Sequence, residues 1–314
     1  MKPKILVCTN DLTNPMMILG MNELLTDLIQ SNLFEVGYHK TRISACKGDR
    51  GSIIYYNDKK IYLDLWDYAT PTHTMEIFNA DFNLLIKLQH PKMTFENFEE
   101  RCKSKNVFLE KSVEQRRTFF NKLTPWTFFP SGMMKRFIGK EDTIPSAPIE
   151  RHSFFCGKPW KCRGWYTKKI KSEGIEFISS DQAFHDIEKL GKSAGKPLTD
   201  EEYITKMMGC KFGLVLHGRS SFMTEAKNRR EIDYMMLKKP LLLNYKPNYY
   251  NPLIEGKHYI YFDNNTDFKN LENMYNINDI AMNGYQWYKE NASPLGTAKT
   301  FLQIMNEKGL NENR

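Results

Sequence analysis

Two neighbouring stretches decide the fold class, "KFGLVLHG" (211–218) and "RREIDYMMLKKPLLLNY" (229–245). The first is a short apolar run that ends in polar residues, which is the pattern of a buried parallel strand. In the second, Arg230 and Asp233 stand one helical turn apart, and an apolar run, a proline and three leucines follow. A strand, a helix and a strand in succession form the unit of a parallel sheet. The sequence therefore predicts an α/β protein.

A similar alternation runs along the rest of the chain. In the N-terminal half, "SIIYY" (52–56) and "KIYLDLW" (60–66) predict a hairpin. The other N-terminal predictions are strands at "KILVCTN" (4–10), "DFNLLIKLQ" (81–89), "NVFLEK" (106–111) and "TPWTFF" (124–129), and a helix at "MMILGMNELLTDLIQSNLF" (16–34). The C-terminal predictions are strands at "SFFCGK" (153–158), "IEFISS" (175–180) and "HYIYFD" (258–263), and helices at "CRGWYTKKIKSEG" (162–174), "TDEEYITKMMGC" (199–210) and "GTAKTFLQIMNEKG" (296–309).

The length of 314 residues suggests two domains of about 150 residues each. The stretch "GKEDTIPSAPIE" (139–150) has two prolines and few apolar residues, which is typical of a linker. We therefore predict two doubly wound, Rossmann-like domains that face a crevice. Their predicted bounds are 1–148 and 149–292, and 293–314 is a C-terminal helix that packs back on the first domain.

Composition limits the class of partner and the compartment. The net charge of +8 favours an anionic partner such as a phosphorylated small molecule, nucleic acid or a membrane surface, although a solvated basic surface explains it equally well. The six cysteines form no C-x-x-C pair, which is typical of free thiols in a reducing compartment. No apolar run approaches the length of a signal-peptide core or a membrane span. We expect a cytoplasmic protein.

Three groups of candidate ligand-binding residues follow predicted strands of the C-terminal half, where parallel sheets bind their ligands. In "FFCGKPWKCRGW", Gly157 ends a strand, and Lys158, Lys161 and Arg163 crowd the turn that follows. Cations beside backbone N–H groups at a helix start suit a diphosphate. A solvated basic turn is the alternative interpretation.

The second group follows the strand at 211–218. His217, Gly218, Arg219, Ser220 and Ser221 come directly before a predicted helix. Glycine permits close backbone approach, serine hydroxyls and helix N–H groups can hold phosphate oxygens, and arginine adds charge. The pattern is consistent with a second phosphate-binding turn, although a histidine at such a place is often structural.

The third group is Arg230 with Asp233, which share one helix face. We expect the arginine to bind phosphate and the carboxylate to accept hydrogen bonds from a ribose diol, as acids do in nucleotide-binding α/β domains. A surface ion pair is the alternative. The chain has no Walker-type loop and no complete G-x-G-x-x-G, which disfavours ATPases and dehydrogenases.

The stretch "REIDYMMLKKPLLL" (230–243) resembles the R-x-x-E-A-x-A-x-G-K-P-V segment of glycosyltransferases with the two-domain GT-B fold. It is similar above all to the exostosin-like group, which occurs in large DNA viruses and in cells. The preceding "YITKMMGCKFGLVLHG" (203–218) resembles the family's Y-x-x-x-M-x-x-S-K-F-x-L-x-P-x-G. Asp233 stands for the usual Glu and Lys238 for the usual Gly. The resemblance covers residues 151–310, and it extends to the N-terminal half only by architecture.

The resemblance implies a sugar transfer from a nucleotide-diphosphate sugar to a glycan acceptor, with a hexosyl or pentosyl group transferred. Arg230 would face the diphosphate and Asp233 the ribose, in the C-terminal domain. Inverting members need a general base in the N-terminal acceptor domain, whereas retaining chemistry needs none. Our candidates for the base are Asp11, Asp67 and His73, because each follows a predicted strand. Any of them could instead be a cap or a turn residue.

The resemblance implies that no cofactor and no metal are required, which agrees with the absence of a D-x-D motif, and that a viral member would act in the host cytoplasm. Two alternatives stay open. One is a sugar transferase that modifies viral DNA bases, with "KSKNVFLEKSVEQRRTFFNK" (103–122) as a basic, aromatic-bearing face. The other is a non-catalytic two-lobed protein that binds a small anion, since a fold does not decide a function.

Overall fold

The computed structural model describes most of the chain. The described residues are 2–8, 24–39, 51–64, 78–79, 81–87, 92–126, 134, 137, 139–144, 147–156, 168–169, 176–178, 198–216 and 229–311. Among them, no helix is long and apolar enough to cross a membrane.

The first sheet has six strands in the order β2-β1-β3-β4-β5-β6. Its strands are β1 (Lys4–Cys8), β2 (Glu35–His39), β3 (Gly51–Tyr56), β4 (Lys59–Asp64), β5 (Leu84–Lys87) and β6 (Leu123–Pro125). The hairpin of β3 and β4 is antiparallel, as predicted, and β3 also runs antiparallel to β1. The other pairs are parallel. All strands except β3 therefore point the same way, and their carboxyl ends meet at one edge.

The described helical segments of this half are residues 24–30 (α1), Phe95–Lys105 (α2) and Val113–Lys122 (α3). The sequence reading missed α2 and α3, and its strand at 106–111 is wrong. That stretch is the turn between the two helices, in which Asn106 and Phe108 have φ of 53° and 59°. Phe108 is nevertheless buried, which explains why the run looked like a strand.

The second sheet is entirely parallel, in the order β11-β10-β9-β7-β8. Its strands are β7 (Arg151–Cys156), β8 (Glu176–Ile178), β9 (Cys210–Val215), β10 (Leu241–Leu243) and β11 (Tyr259–Tyr261). Each coincides with a predicted strand. The described part of β9 and β10 is almost entirely buried, because helices cover a parallel sheet on both faces.

The helices of the second half are α4 (Asp200–Met208), α5 (Arg229–Met236), α6 (Leu271–Met274), α7 (Ile277–Asn291) and α8 (Pro294–Glu307). Thr199 caps α4, and Glu202 completes a capping box. The sequence reading did not identify α7, which begins after the cap Asn276. The helix predicted at 162–174 lies mostly outside the described residues.

The architecture of two α/β sheets joined in one chain confirms the predicted fold class. The last helix, α8, packs on the first sheet rather than on the second. Phe301 makes edge-to-face contacts with Phe34 and Tyr56, at 5.8 and 5.6 Å between ring centroids. Thr297 Oγ1 also donates a 3.0 Å hydrogen bond to Asp27 of α1. The core of the first half is therefore completed by residues from the far end of the chain.

The segment predicted as a linker is anchored by a buried acid. Glu141, in the short 3₁₀ helix Glu141–Thr143, is 8% exposed. Its carboxylate accepts hydrogen bonds from the Tyr288 hydroxyl and the Gly139 N–H, both at 3.0 Å, and Lys289 Nζ is 3.7 Å away. Burial alone would raise the pKa of Glu141, but these contacts outweigh it and lower the pKa.

Candidate functional site

The predicted ligand-binding turns follow the carboxyl ends of central strands of the second sheet. β7 ends at Cys156, directly before Gly157, and β9 ends at Val215, close before His217. The two strands pair with each other, so both turns begin at the same edge. The placement of Gly157, Lys158, Arg163, His217, Gly218, Arg219, Ser220 and Ser221 lies outside the described residues, as does that of Asp11, Asp67 and His73.

Arg230 lies at this edge, in the first turn of α5. Its Nε donates a 3.3 Å hydrogen bond to the Tyr203 hydroxyl of α4, and its guanidinium carbon is 5.2 Å from the centre of the Phe155 ring near the end of β7. The side chain is half-buried. A guanidinium carries five N–H donors in a planar fork, a geometry that suits a phosphate.

Asp233 lies one turn further along α5 and is 1% exposed. This burial excludes a solvated surface ion pair for Arg230 and Asp233, because such a pair needs two exposed side chains. A buried carboxylate is costly unless it is paired or hydrogen-bonded. Its predicted role, to accept hydrogen bonds from a ribose, stays a prediction.

α5 is locked to the sheet through Tyr234. The fully buried ring lies against the backbone of Gly213 in β9, and its hydroxyl donates a 2.6 Å hydrogen bond to the Phe154 carbonyl of β7. A Cβ on residue 213 would lie only 2.3 Å from the ring carbon Cγ of Tyr234. The glycine therefore allows α5 to approach the sheet closely, and this fixes the position of Arg230.

Glu231 is the polar residue of the site that sequence reasoning missed. It is fully buried, and its carboxylate accepts hydrogen bonds from the Tyr245 hydroxyl and, at 2.8 Å, from the Tyr249 hydroxyl. Both tyrosines follow β10. Burial, and then the charge of Glu231, raise the pKa of each tyrosine well above its usual value, so both remain donors. The sequence signal that could have identified Glu231 was an acidic residue among the apolar residues of α5.

The first sheet has a charged residue at its own carboxyl edge that sequence reasoning also missed. Lys87, the last residue of β5, is fully buried and is the register partner of Asp64 at the end of β4. Asp67, a predicted base, follows Asp64 by three positions. The carboxyl edge of the first sheet is thus not apolar.

The three aromatic rings of the stretch 103–122 are buried or, for Phe120, partly buried. Phe108 and Phe119 are buried in the core under α2 and α3. Arg116 is buried too, and it makes a bidentate ion pair with Glu99, with Nη2 2.8 Å from Oε2. Base stacking requires exposed rings. This arrangement disfavours a nucleic-acid-binding face at these helices.

The buried thiols do not provide a nucleophile. Cys210, at the start of β9, and Cys102, in α2, are free and buried. Burial raises the pKa of Cys210 to about 12 and that of Cys102 to about 11. Since the thiolate is the reactive form, both residues are structural.

Comparison with known proteins gives distant similarities in structure. No protein-family model and no curated protein match the chain. A crystal structure of a glycosyltransferase from Rickettsia africae ESF-5 has 13% identity and a TM-score of 0.44, with 97% of this chain and 84% of that chain covered. A crystal structure of the GtfA/B complex has 11% identity and a TM-score of 0.41, with 84% and 64% covered. At these values neither similarity assigns a family or a function.

Proposed function

We propose that the protein is a glycosyltransferase of the GT-B type, which moves a hexosyl or pentosyl group from a nucleotide-diphosphate sugar to a glycan acceptor. The observation that carries the proposal is the position of Arg230. This cation lies at the carboxyl edge of an all-parallel sheet, on a helix that follows a central strand, and open α/β sheets bind nucleotides at this edge. The resemblance of residues 230–243 to the exostosin-like group, including its viral members, gives independent support.

In this proposal the second half binds the donor. Arg230 pairs with the diphosphate, Asp233 accepts hydrogen bonds from the ribose, and the turns after β7 and β9 add cations and backbone N–H groups. The charge that develops on the departing nucleoside diphosphate is stabilised by these donors, without a divalent metal. Fixed donors are effective because they need not reorganise as charge develops.

The acceptor lies against the first half in this proposal. For inversion, a base at the carboxyl edge of the first sheet removes the proton of the acceptor hydroxyl as its oxygen attacks the anomeric carbon. Asp11, Asp67 and His73 are the candidates, and the reaction takes place in the cytoplasm. Phe108 and Phe119 are buried and Phe120 is partly buried, so a glycan is preferred here over DNA as the acceptor.

A thermal-shift experiment on the full chain tests the donor site. UDP-, GDP-, CMP- and dTDP-sugars are compared, with and without magnesium. At a hundred times its Kd a ligand specific for the folded state adds about 2.7 kcal/mol of stability, so one nucleotide should raise the Tm by several degrees without magnesium.

Two variants make the experiment specific. Arg230→Ala should reduce the shift strongly, because nucleotide binding is weakened. Lys211→Ala is the matched control, because it removes the same charge at the opposite edge of the sheet, where Lys211 pairs on the surface with Glu272. A folded wild-type protein that shows no shift with any of the four donors would refute the proposal and favour the small-anion alternative, for which inorganic phosphate and pyrophosphate are the probes.

A further inference from the structure

Residues 244–251, which leave β10 and are called here the β10 exit segment, contact both halves of the molecule. On one side the segment contacts α5, which carries Arg230. On the other it contacts the first half next to β6.

The contact with α5 is made through Glu231. The Tyr245 and Tyr249 hydroxyls bond to different oxygens of this carboxylate, Oε1 and Oε2. All three side chains are buried, Glu231 completely. Hydrogen bonds to an ionised acceptor are stronger than neutral ones. The carboxylate therefore fixes the first turn of α5 relative to the exit segment.

The contact with the first half is made by backbone groups together with the side chains of Asn248, Lys92 and Tyr250. The Lys92 N–H donates to the Asn248 carbonyl at 2.6 Å, and Asn248 Nδ2 donates to the Lys92 carbonyl at 2.9 Å. The Tyr250 N–H donates to the Pro125 carbonyl at the end of β6, at 3.3 Å. The Lys92 ammonium also lies 5.3 Å from the centre of the Tyr250 ring. The reciprocal bonds tie the exit segment to a fixed place on the first half.

We propose that Glu231 is a positioning residue, which through Tyr245 and Tyr249 sets the place of Arg230 and links donor binding to the contact of the exit segment with Lys92 and Pro125. The inference rests on the proposed function, since it takes a nucleotide diphosphate as the ligand of Arg230. The neighbouring residue of the same turn, Glu231, moves whenever Arg230 shifts to meet a phosphate. The exit segment then transmits that shift to the half that holds the acceptor.

A purely structural role for the tyrosines predicts a different result. If their rings only fill space, a phenylalanine in place of Tyr249 lowers stability and leaves nucleotide affinity unchanged. If Glu231 positions Arg230, the loss of one hydroxyl releases the turn and weakens nucleotide binding, and this loss disappears when Arg230 is absent. The two roles are therefore separated by a double-mutant cycle.

The first test measures the Kd of UDP, GDP, CDP and dTDP by calorimetry for full-length wild type, Tyr249→Phe, Arg230→Ala and the double variant. Tyr249→Phe should raise the Kd of the preferred nucleotide by about fivefold or more, with no further effect in the Arg230→Ala background. Tyr261→Phe in β11 is the matched control, because the hydroxyl of Tyr261 has no hydrogen bond within the described residues. An unchanged Kd in folded Tyr249→Phe overturns the positioning role.

The second test measures hydrogen–deuterium exchange of the Lys92 and Tyr250 amides, with and without the preferred nucleotide. The nucleotide should slow both amides in the wild type, and the effect should be lost in Tyr249→Phe. Equal exchange rates with and without nucleotide in the wild type overturn the link between the halves, even if Arg230 binds as proposed. If no nucleotide binds the folded wild type, the proposed function fails, and this inference fails with it.

Discussion

The Tyr234 hydroxyl donates a 2.6 Å hydrogen bond to the Phe154 carbonyl, and this bond joins the helix of Arg230 to the strand that ends beside it. Tyr234→Phe keeps the ring but leaves a buried carbonyl without this donor, which costs about 1–3 kcal/mol. We expect a lower midpoint in urea denaturation. Tyr275→Phe is the control, because Tyr275 is only partly buried. An equal loss of stability in both variants would show that the hydrogen bond from Tyr234 to Phe154 does not stabilise the protein.

Gly213→Ala should be more damaging than an ordinary glycine substitution. The added methyl group would lie 2.3 Å from Tyr234 Cγ, so the helix or the ring must move. Overpacking of this kind costs about 1–3 kcal/mol, measurable by urea denaturation. Gly37→Ala in β2 is the matched control, since its methyl group would lie 3.4 Å from the flexible end of Leu6. Similar stabilities of the two variants would show that the packing of α5 does not require its close approach to β9 at Gly213.

Stability should fall at alkaline pH. Burial raises the pKa of Tyr234, Tyr245 and Tyr249 well above 10.0 in the folded protein. Their contribution is complete below the unfolded pKa and is lost as the pH rises toward the folded values, because the unfolded chain releases these protons first. Each of these tyrosines lowers the free energy of unfolding by about 1.4 kcal/mol for each pH unit above pH 10.

The variant Tyr249→Phe tests this dependence. Its curve of unfolding free energy against pH should be less steep than that of the wild type above pH 10, and the two should run parallel near pH 8. Parallel curves over the whole range would mean that Tyr249 ionises normally in the folded protein.

Glu141 should stabilise the protein at neutral pH and not in acid. Its pKa in the folded protein is below the usual 4.5, so its contribution is present above 4.5 and is lost as the pH falls through the lowered value. We expect Glu141→Gln to be less stable than the wild type at pH 7 and the difference to shrink below pH 4.5. The measurement is urea denaturation across pH 3–7, roughly the range in which carboxylates titrate, and a difference independent of pH would refute an ionised Glu141.

Cys102 and Cys210 should resist alkylation in the folded protein. With pKa values of about 11 and about 12, only a minute fraction of either residue is thiolate near pH 8. Mass spectrometry after iodoacetamide treatment should find both unmodified in buffer and both modified in urea. Rapid modification without urea would show that these thiols are accessible.

The alternation of strands and helices was predictable because it depends on local pattern. The helix at 199–210 and the hairpin at 52–66 were predicted from residue type and spacing alone. The capping box of Ser112 and Gln115 was an equally clear signal for α3 that was overlooked. The prediction of a strand at 106–111 was wrong for a physical reason. A short apolar run indicates burial, and a buried turn gives the same sequence pattern as a buried strand.

The candidate site was predictable only in part. Arg230 and Asp233 share one helix, as their spacing indicates, but the near-complete burial of Asp233 depends on the second sheet and could not be read from the chain. Glu231 was overlooked because its partners are 14 and 18 positions away. Residues that act through tertiary partners carry no local signature, whereas caps and strand ends do.

The packing of α8 has a consequence for how the chain folds during synthesis. The first sheet buries its apolar face against Phe301, Ile304 and Met305, which are translated after the whole of the second sheet. Until then, the N-terminal half has an unfilled hydrophobic surface that invites aggregation or chaperone binding. The first half is therefore translated before the second sheet but is completed only after it, and a fragment cut after residue 148 would be left in the same state.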